Sequence, residues 1–156
     1  ERGFFTKPFS ENIKEKFPFD FKIAESFTTI SNKNVIRGMH FQKGLSSHRK
    51  IVSCINGSAL DVIVDIRKES PYFNKPFQFK LESSKPFSLL IDKYYAHGFL
   101  SMEHNTIIQY FTTTPHNKDN DVGVLWKSIN FEWPVLEPTL SKRDLNHPTI
   151  QNNKYQ

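Results

Sequence analysis

His40, Lys50 and Tyr110 are the residues whose types and spacing point most directly to chemistry in this chain. His40 lies in Arg37-Gly38-Met39-His40-Phe41-Gln42, Lys50 follows ten positions later, and Tyr110 sits in the separate run Ile107-Ile108-Gln109-Tyr110-Phe111. A base, a cation and a phenol around a carbonyl compound could take a proton from the neighbouring carbon, hold the enolate and return a proton. If the first stretch is a strand, Met39 and Phe41 point one way and Gly38, His40 and Gln42 the other, so His40 and Gln42 would share a cavity wall. Each residue also has an ordinary reading. His40 could be a core histidine bonded to a carbonyl, Lys50 a solvated lysine, and Tyr110 a strand tyrosine with a wet hydroxyl. Only the combination favours a site.

Other residues could complete it. His97 lies between Ala96 and Gly98, whose small size permits close approach of a ligand or of another backbone. Arg2 precedes Gly3 and Arg37 precedes Gly38; an arginine beside flexible backbone suits phosphate, whose geometry the guanidinium matches. Asp144 follows Ser141-Lys142-Arg143 and reads by itself as a surface or helix-terminal acid. A common barrel metal site wants two histidines one residue apart, then a carboxylate and a further histidine. Here the second position is Gln42, and His48 is eight residues away in a loop, so no metal is expected. There is no glycine-rich phosphate loop, nucleophile elbow or dinucleotide fingerprint. That argues against nucleotide hydrolysis and hydride transfer, and no cofactor is expected.

The elements that must position these residues read as short strands. The 156 residues fit one domain, taken as 1–156. The 15 Phe, 5 Tyr and 2 Trp favour pleated surfaces. A short helix is expected from Ser10 to Phe17, stopped by Pro18, and a strand over Phe19 to Ile23. Further strands are expected at Val35–Phe41, Lys50–Ile55, Ser58–Ile66, Phe77–Leu81, Phe87–Ile91, Gly98–Met102 and Thr106–Thr112, with Asn56-Gly57 as a hairpin turn. The tail from Pro138 is expected to cover an edge of the body. Such spacing implies an all-β sandwich or barrel. The charge of +5 is scattered, with no run of five like charges, so nucleic-acid binding is not expected. The single cysteine, Cys54, allows no disulfide within the chain and suits a reducing cytoplasm. No apolar stretch is long enough to span a membrane. The opening Glu1-Arg2-Gly3, without methionine, reads as a chain lacking an N-terminal segment.

Taken in order, these motifs resemble the dTDP-4-dehydrorhamnose 3,5-epimerases, cupin-fold enzymes of deoxysugar biosynthesis. The likeness runs from Arg2-Gly3-Phe4-Phe5 through Val35 to Gln42, Gly57 to Lys68, Ser70-Pro71, Ala96 to Leu100 and Tyr110. It ends at Trp133-Pro134 and Leu140-Ser141-Lys142-Arg143-Asp144. The resemblance implies a double-stranded β-helix (the cupin jelly roll), a homodimer that exchanges N-terminal strands, and a metal-free reaction. His40 would match the base, Asp144 its orienting acid, Tyr110 the acid on the opposite face, and Lys50 the cation near the enolate oxygen. Arg2 and Arg37 would match pyrophosphate contacts, and His97 and Arg143 further substrate contacts. His116 stands where the family usually has a tyrosine stacked on the nucleotide base. Lys7, Phe27-Thr28-Thr29 and Asp92-Lys93-Tyr94-Tyr95 also depart from the family pattern, and the loop between Trp126 and Trp133 is short. The implied activity is inversion at C3, C5 or both of a dTDP-linked or other nucleotide-linked 4-keto sugar. The rival readings are a 3,4-ketoisomerase of the same fold and an inactive sugar-nucleotide-binding cupin.

Overall fold

Alternating apolar residues along nine short segments build two antiparallel sheets in the computed structural model, which describes all residues except Glu1, Phe4, Tyr155 and Gln156. The strands are β1 (Glu25–Ser31), β2 (Ile36–Gln42), β3 (Lys50–Asn56), β4 (Ser58–Asp65), β5 (Pro76–Glu82), β6 (Ser88–Ile91), β7 (Tyr95–Ser101), β8 (Thr106–Thr112) and β9 (Asp121–Gly123). One sheet has the order β1-β8-β3-β6 and the other β5-β4-β7-β2-β9. The architecture is the jelly roll of the cupins. Val52, Cys54, Ile108 and Tyr110 of the first sheet meet Ala59, Leu81 and Phe99 of the second in a shared core. Burial pushes the Cys54 thiol up to about 11, so it behaves there as a small apolar side chain.

The outer face of the five-stranded sheet is covered by the C-terminal segment. Val62, Val64, Met39 and Leu100 pack there with Val124, Ile129, Trp133 and Ile150. The outer side of the other sheet carries the N-terminal phenylalanines: Phe9 lies 6.0 Å from both Phe21 and Phe111, ring to ring. These packing demands explain one departure from the sequence pattern. Phe19 to Ile23 alternates like a strand but pairs with none, because Phe17, Phe19 and Phe21 form an aromatic cluster instead. The expected N-terminal helix shrinks to α1 (Glu11–Lys14), and Ser10 makes no side-chain cap bond.

The Asn56-Gly57 step also differs from expectation. β3 and β4 flank it but belong to different sheets, so it carries the chain across the sandwich instead of closing a hairpin. Gly57 has φ +73°, and a Cβ there would lie 2.8 Å from Thr106 Oγ1. Glycine is required on both counts. The seven-residue strand β1, which pairs with β8 in place of the expected strand at Phe19 to Ile23, escaped the periodicity reading, and so did two shorter elements. The shorter two are β9, which pairs with the edge of β2, and the helix α2 (Lys142–Leu145), which returns the tail to β2.

Candidate active site

β2 presents the first group. Ile36, Met39 and Phe41 pack with the C-terminal segment, and Arg37, His40 and Gln42 line a cavity between the sheets that Ile36 and Phe41 also border. Strict alternation cannot place Arg37 and His40, three apart, on one face. The pairing of β2 with β7 shifts between those two residues and makes it possible. Gly38 (φ +138°) marks the irregularity, and β7 approaches so closely that a Cβ on Gly98 would lie 2.8 Å from the Arg37 carbonyl oxygen. The small residue beside His97 thus admits a neighbouring backbone.

The cavity has a volume of about 550 Å³ and draws on both sheets. His40 and His97 are cross-strand partners on its five-stranded wall, and each has its own carboxylate. His40 Nε2 lies 2.8 Å from Asp144 Oδ1, and His97 Nε2 lies 2.7 Å from Asp61 Oδ2. Asp144 arrives on α2, whose first turn is fixed by Ser141 accepting a hydrogen bond from the Asp144 N–H at 3.0 Å. Burial alone would raise the Asp144 carboxyl. The contacts with His40, the Gly38 N–H and Ser141 outweigh burial and hold it below the usual carboxylate range. Asp144 is therefore ionised and can only accept, so the His40 nitrogen facing it carries the proton. His40 Nδ1 keeps the basic lone pair. Around His97 burial dominates and lowers the imidazole, against the pull of Asp61.

The four-stranded wall carries Lys50 and Tyr110. Neither is the solvated residue that an isolated reading suggests: their relative exposures are 7% each. Burial lowers the Lys50 ammonium to about 8, although Asp121 and Asp61 oppose the shift. Burial and the nearby Asp61 charge push the Tyr110 phenol well above its ordinary value. Phe27 of β1 stacks on Tyr110 with ring centroids 4.6 Å apart, and His97 meets it edge-on at 6.1 Å.

The mouth is polar. Arg37 is held by Ser31 Oγ at 2.9 Å and the Ile30 carbonyl at 3.1 Å. Asp121 of β9 receives Arg143 Nη1 at 2.7 Å and His116 Nε2 at 3.1 Å. Burial would raise the Asp121 carboxyl, but Arg143 and His116 keep it low. The structure therefore brings His40, Lys50, Tyr110, Asp144, Arg37, His97, His116 and Arg143 to one cavity, whereas Arg2 is exposed and outside its lining.

Four contributors were not singled out as site residues from the sequence, His48 having been weighed only as a metal ligand and set aside. Asp61 had a signal, a carboxylate inside the apolar run Leu60 to Ile66, which demands a buried partner. Asp121, His48 and His147 had none in local pattern. His147 Nε2 lies 3.7 Å from Asp144 Oδ1 and its ring is edge-on to His40 at 5.6 Å. Among the described residues His40, Asp144 and His147 bring three potential ligand atoms within 4.8 Å of one another, which is the set that could hold a metal ion.

Fold and cavity together define a cupin enzyme whose site is built from two imidazole–carboxylate pairs facing a buried amine and a phenol. The family profile described as dTDP-4-dehydrorhamnose 3,5-epimerase matches residues 1–152. The chain belongs to that family, and its activity is that of an epimerase, in the isomerase class. The dTDP-4-dehydrorhamnose 3,5-epimerase of Shigella flexneri is 37% identical over 149 residues, spanning 94% of this chain and 82% of its own length. The crystal structure of the Bacillus anthracis enzyme of that name, with TDP and PPi bound, is 34% identical with a TM-score of 0.89, covering 95% of this chain and 86% of its own. The Legionella pneumophila epimerase in complex with dTDP-4-keto-L-rhamnose is 27% identical with a TM-score of 0.90, covering 97% and 82%. No helix among the described residues is long and apolar enough to cross a membrane.

Proposed function

We propose that this chain inverts C3, C5 or both of a dTDP-linked 4-keto-6-deoxy sugar by proton removal and return through an enolate, in dTDP-rhamnose-like deoxysugar biosynthesis. The observation that carries the reading is the placement of the Asp144-paired His40 and the protonated Tyr110 on opposite walls of one cavity. Inversion requires exactly such opposed groups, because the proton must leave one face of the carbon and arrive on the other. His40 Nδ1 takes the proton beside the C4 ketone, and Asp144 stabilises the imidazolium that results. The Lys50 ammonium sits near the ketone oxygen and holds the negative charge that develops there; in a desolvated cavity such a contact is worth several kcal/mol, roughly. Tyr110 returns a proton to the opposite face. Arg37 and Arg143 at the mouth, with Arg2 as a further candidate, take the diphosphate, and His97 the sugar. His116 is the candidate for the nucleotide end. The ligands of the Bacillus and Legionella relatives support a nucleotide sugar as substrate. The homodimer belongs to the same reading: edge strand β1 leaves Phe27 and Ile30 exposed, and sedimentation of the protein tests it.

The test is solvent deuterium incorporation at C3 and C5 of a dTDP-4-keto-6-deoxyhexose, followed by mass spectrometry and product stereochemistry. Exchange with inversion is expected. Tight binding without exchange on any nucleotide-linked 4-keto sugar would leave a binding protein. A carbonyl moved from C4 to C3 would make the chain a ketoisomerase.

A further inference from the structure

The cavity contains a histidine that the reaction above does not use. His48 lines the wall two residues from Lys50, at the end of the loop joining β2 to β3. Its protonation pattern follows from its neighbour Gln42. Gln42 Oε1 accepts the Asn117 N–H at 2.7 Å, which fixes which end of the amide is oxygen. Gln42 Nε2 then faces the carbonyl oxygens of Ser46 and Pro115, both at 3.3 Å, and His48 Nδ1 at 3.0 Å. Flipping the amide would set its oxygen against two carbonyls and its NH2 against an N–H. The orientation is therefore unique. Gln42 Nε2 has only hydrogens to offer, so His48 Nδ1 must accept. Thr114 Oγ1 donates to the Ser46 carbonyl at 2.8 Å and could only accept from His48 Nδ1, but at 3.5 Å that contact gives way to the 3.0 Å bond from Gln42. The ring proton of His48 is thereby placed on Nε2, which has no protein partner among the described residues.

We propose that His48 is a specificity-determining residue: a permanently neutral Nε2–H donor, set beside the Lys50 ammonium, that takes an uncharged oxygen of the bound sugar. Two features favour an uncharged hydroxyl or carbonyl oxygen over a phosphate. The ring cannot gain a second proton without losing its bond from Gln42, so it brings no charge. The cations suited to a diphosphate, Arg37 and Arg143, stand at the mouth. Burial first, then the Lys50 charge, drives the His48 imidazole down to about 3, which agrees with a ring that stays neutral through the working range. His48 therefore does not act as acid or base. It selects ligands that present an acceptor next to the carbonyl oxygen held by Lys50. This inference rests on the sugar-nucleotide reading of the cavity.

Two isosteric variants and one spectrum test it. In His48→Gln the amide NH2 occupies the place of Nε2 and keeps a donor in the cavity. In His48→Asn the amide occupies the place of Nδ1, can keep the Gln42 contact, and offers nothing at Nε2. His48→Asn is expected to lose about tenfold in kcat/KM, mostly through KM, and His48→Gln to recover most of it. The acid side of the pH profile should be unchanged in both. Long-range proton–nitrogen NMR of the wild-type protein should show the Nε2–H tautomer from about pH 8 down to about pH 5. The Nε2–H resonance should move on adding a dTDP-sugar and far less on adding dTDP. An Nδ1–H tautomer, a ring that protonates in that range, an equal response to dTDP alone, no response to the sugar nucleotide, or a His48→Asn protein with wild-type kcat/KM would each overturn the assignment. The spectrum needs no turnover. A protein that binds the sugar nucleotide through His48 but never exchanges deuterium would refute the epimerase reading and leave this one standing.

Discussion

The two walls of the cavity reach useful protonation states by opposite physical routes. The five-stranded wall pairs: His40 with Asp144 and His97 with Asp61, each imidazole within 2.8 Å of a carboxylate. The four-stranded wall desolvates: Lys50 and Tyr110 are buried, and burial is the main cause of the shift in each. Pairing fixes which nitrogen carries a proton and leaves the other free to work. Desolvation moves an amine towards neutrality and keeps a phenol protonated. An imidazole with a free lone pair and a protonated phenol can thus face one cavity at the same pH without sharing a proton.

The largest expected effect breaks the paired wall. His40→Ala should reduce deuterium exchange by about 10³-fold, and Asp144→Asn by about 10²-fold because the imidazole loses both its tautomer and its counter-charge; exchange kinetics measure both. The desolvated wall should fail differently. Tyr110→Phe should depress formation of the inverted product by about 10²-fold while exchange into recovered substrate persists, since His40 can still remove and return a proton on its own face. Product stereochemistry against exchange separates the two walls.

Lys50 sharpens the contrast through pH. Its ammonium falls from the ordinary 10.5 to about 8 in the fold, so turnover should decline above about pH 8 as the charge near the enolate is lost. The sign for stability is the reverse. Below about pH 8 the folded protein holds a buried charge that the unfolded chain would solvate, which destabilises the fold. Between about 8 and 10.5 the unfolded chain binds more protons than the folded one, and stability contributed by this group rises with pH. Lys50→Met should therefore lower kcat and yet stabilise the protein at neutral pH by roughly 1–3 kcal/mol, read from denaturant melts. A destabilised Lys50→Met would show that Lys50 is paired rather than merely buried. The smallest effect belongs to the mouth: His116→Ala, at an exposed ring bonded to Asp121, should raise KM by about tenfold or less with kcat unchanged.

Much of this was legible from local pattern. Strands β3, β4, β5 and β8 follow apolar alternation within a residue or two at each end. His40, Tyr110 and Lys50 each have an ordinary reading by themselves and point to chemistry only as a combination of base, phenol and amine. What failed locally had competing causes. Phe19 to Ile23 alternates correctly but packs its rings against Phe9 and Phe17. Asn56-Gly57 has hairpin chemistry, but the register of the two sheets makes it a crossing. Asp61 could have been suspected inside its apolar strand, whereas His48 gains its meaning only from Gln42, Asn117 and the Ser46 and Pro115 carbonyls around it.

The amino-acid order by itself determined most of the strands, the family and the inventory of reactive groups, since these depend on side-chain type and on neighbours a few positions away. Only the tertiary structure decided which groups are paired and which are desolvated. Asp144 reaches His40 across 104 positions and Asp61 reaches His97 across 36. Protonation depends on distance to charge and on exclusion of water, and both are set when the sheets close on each other.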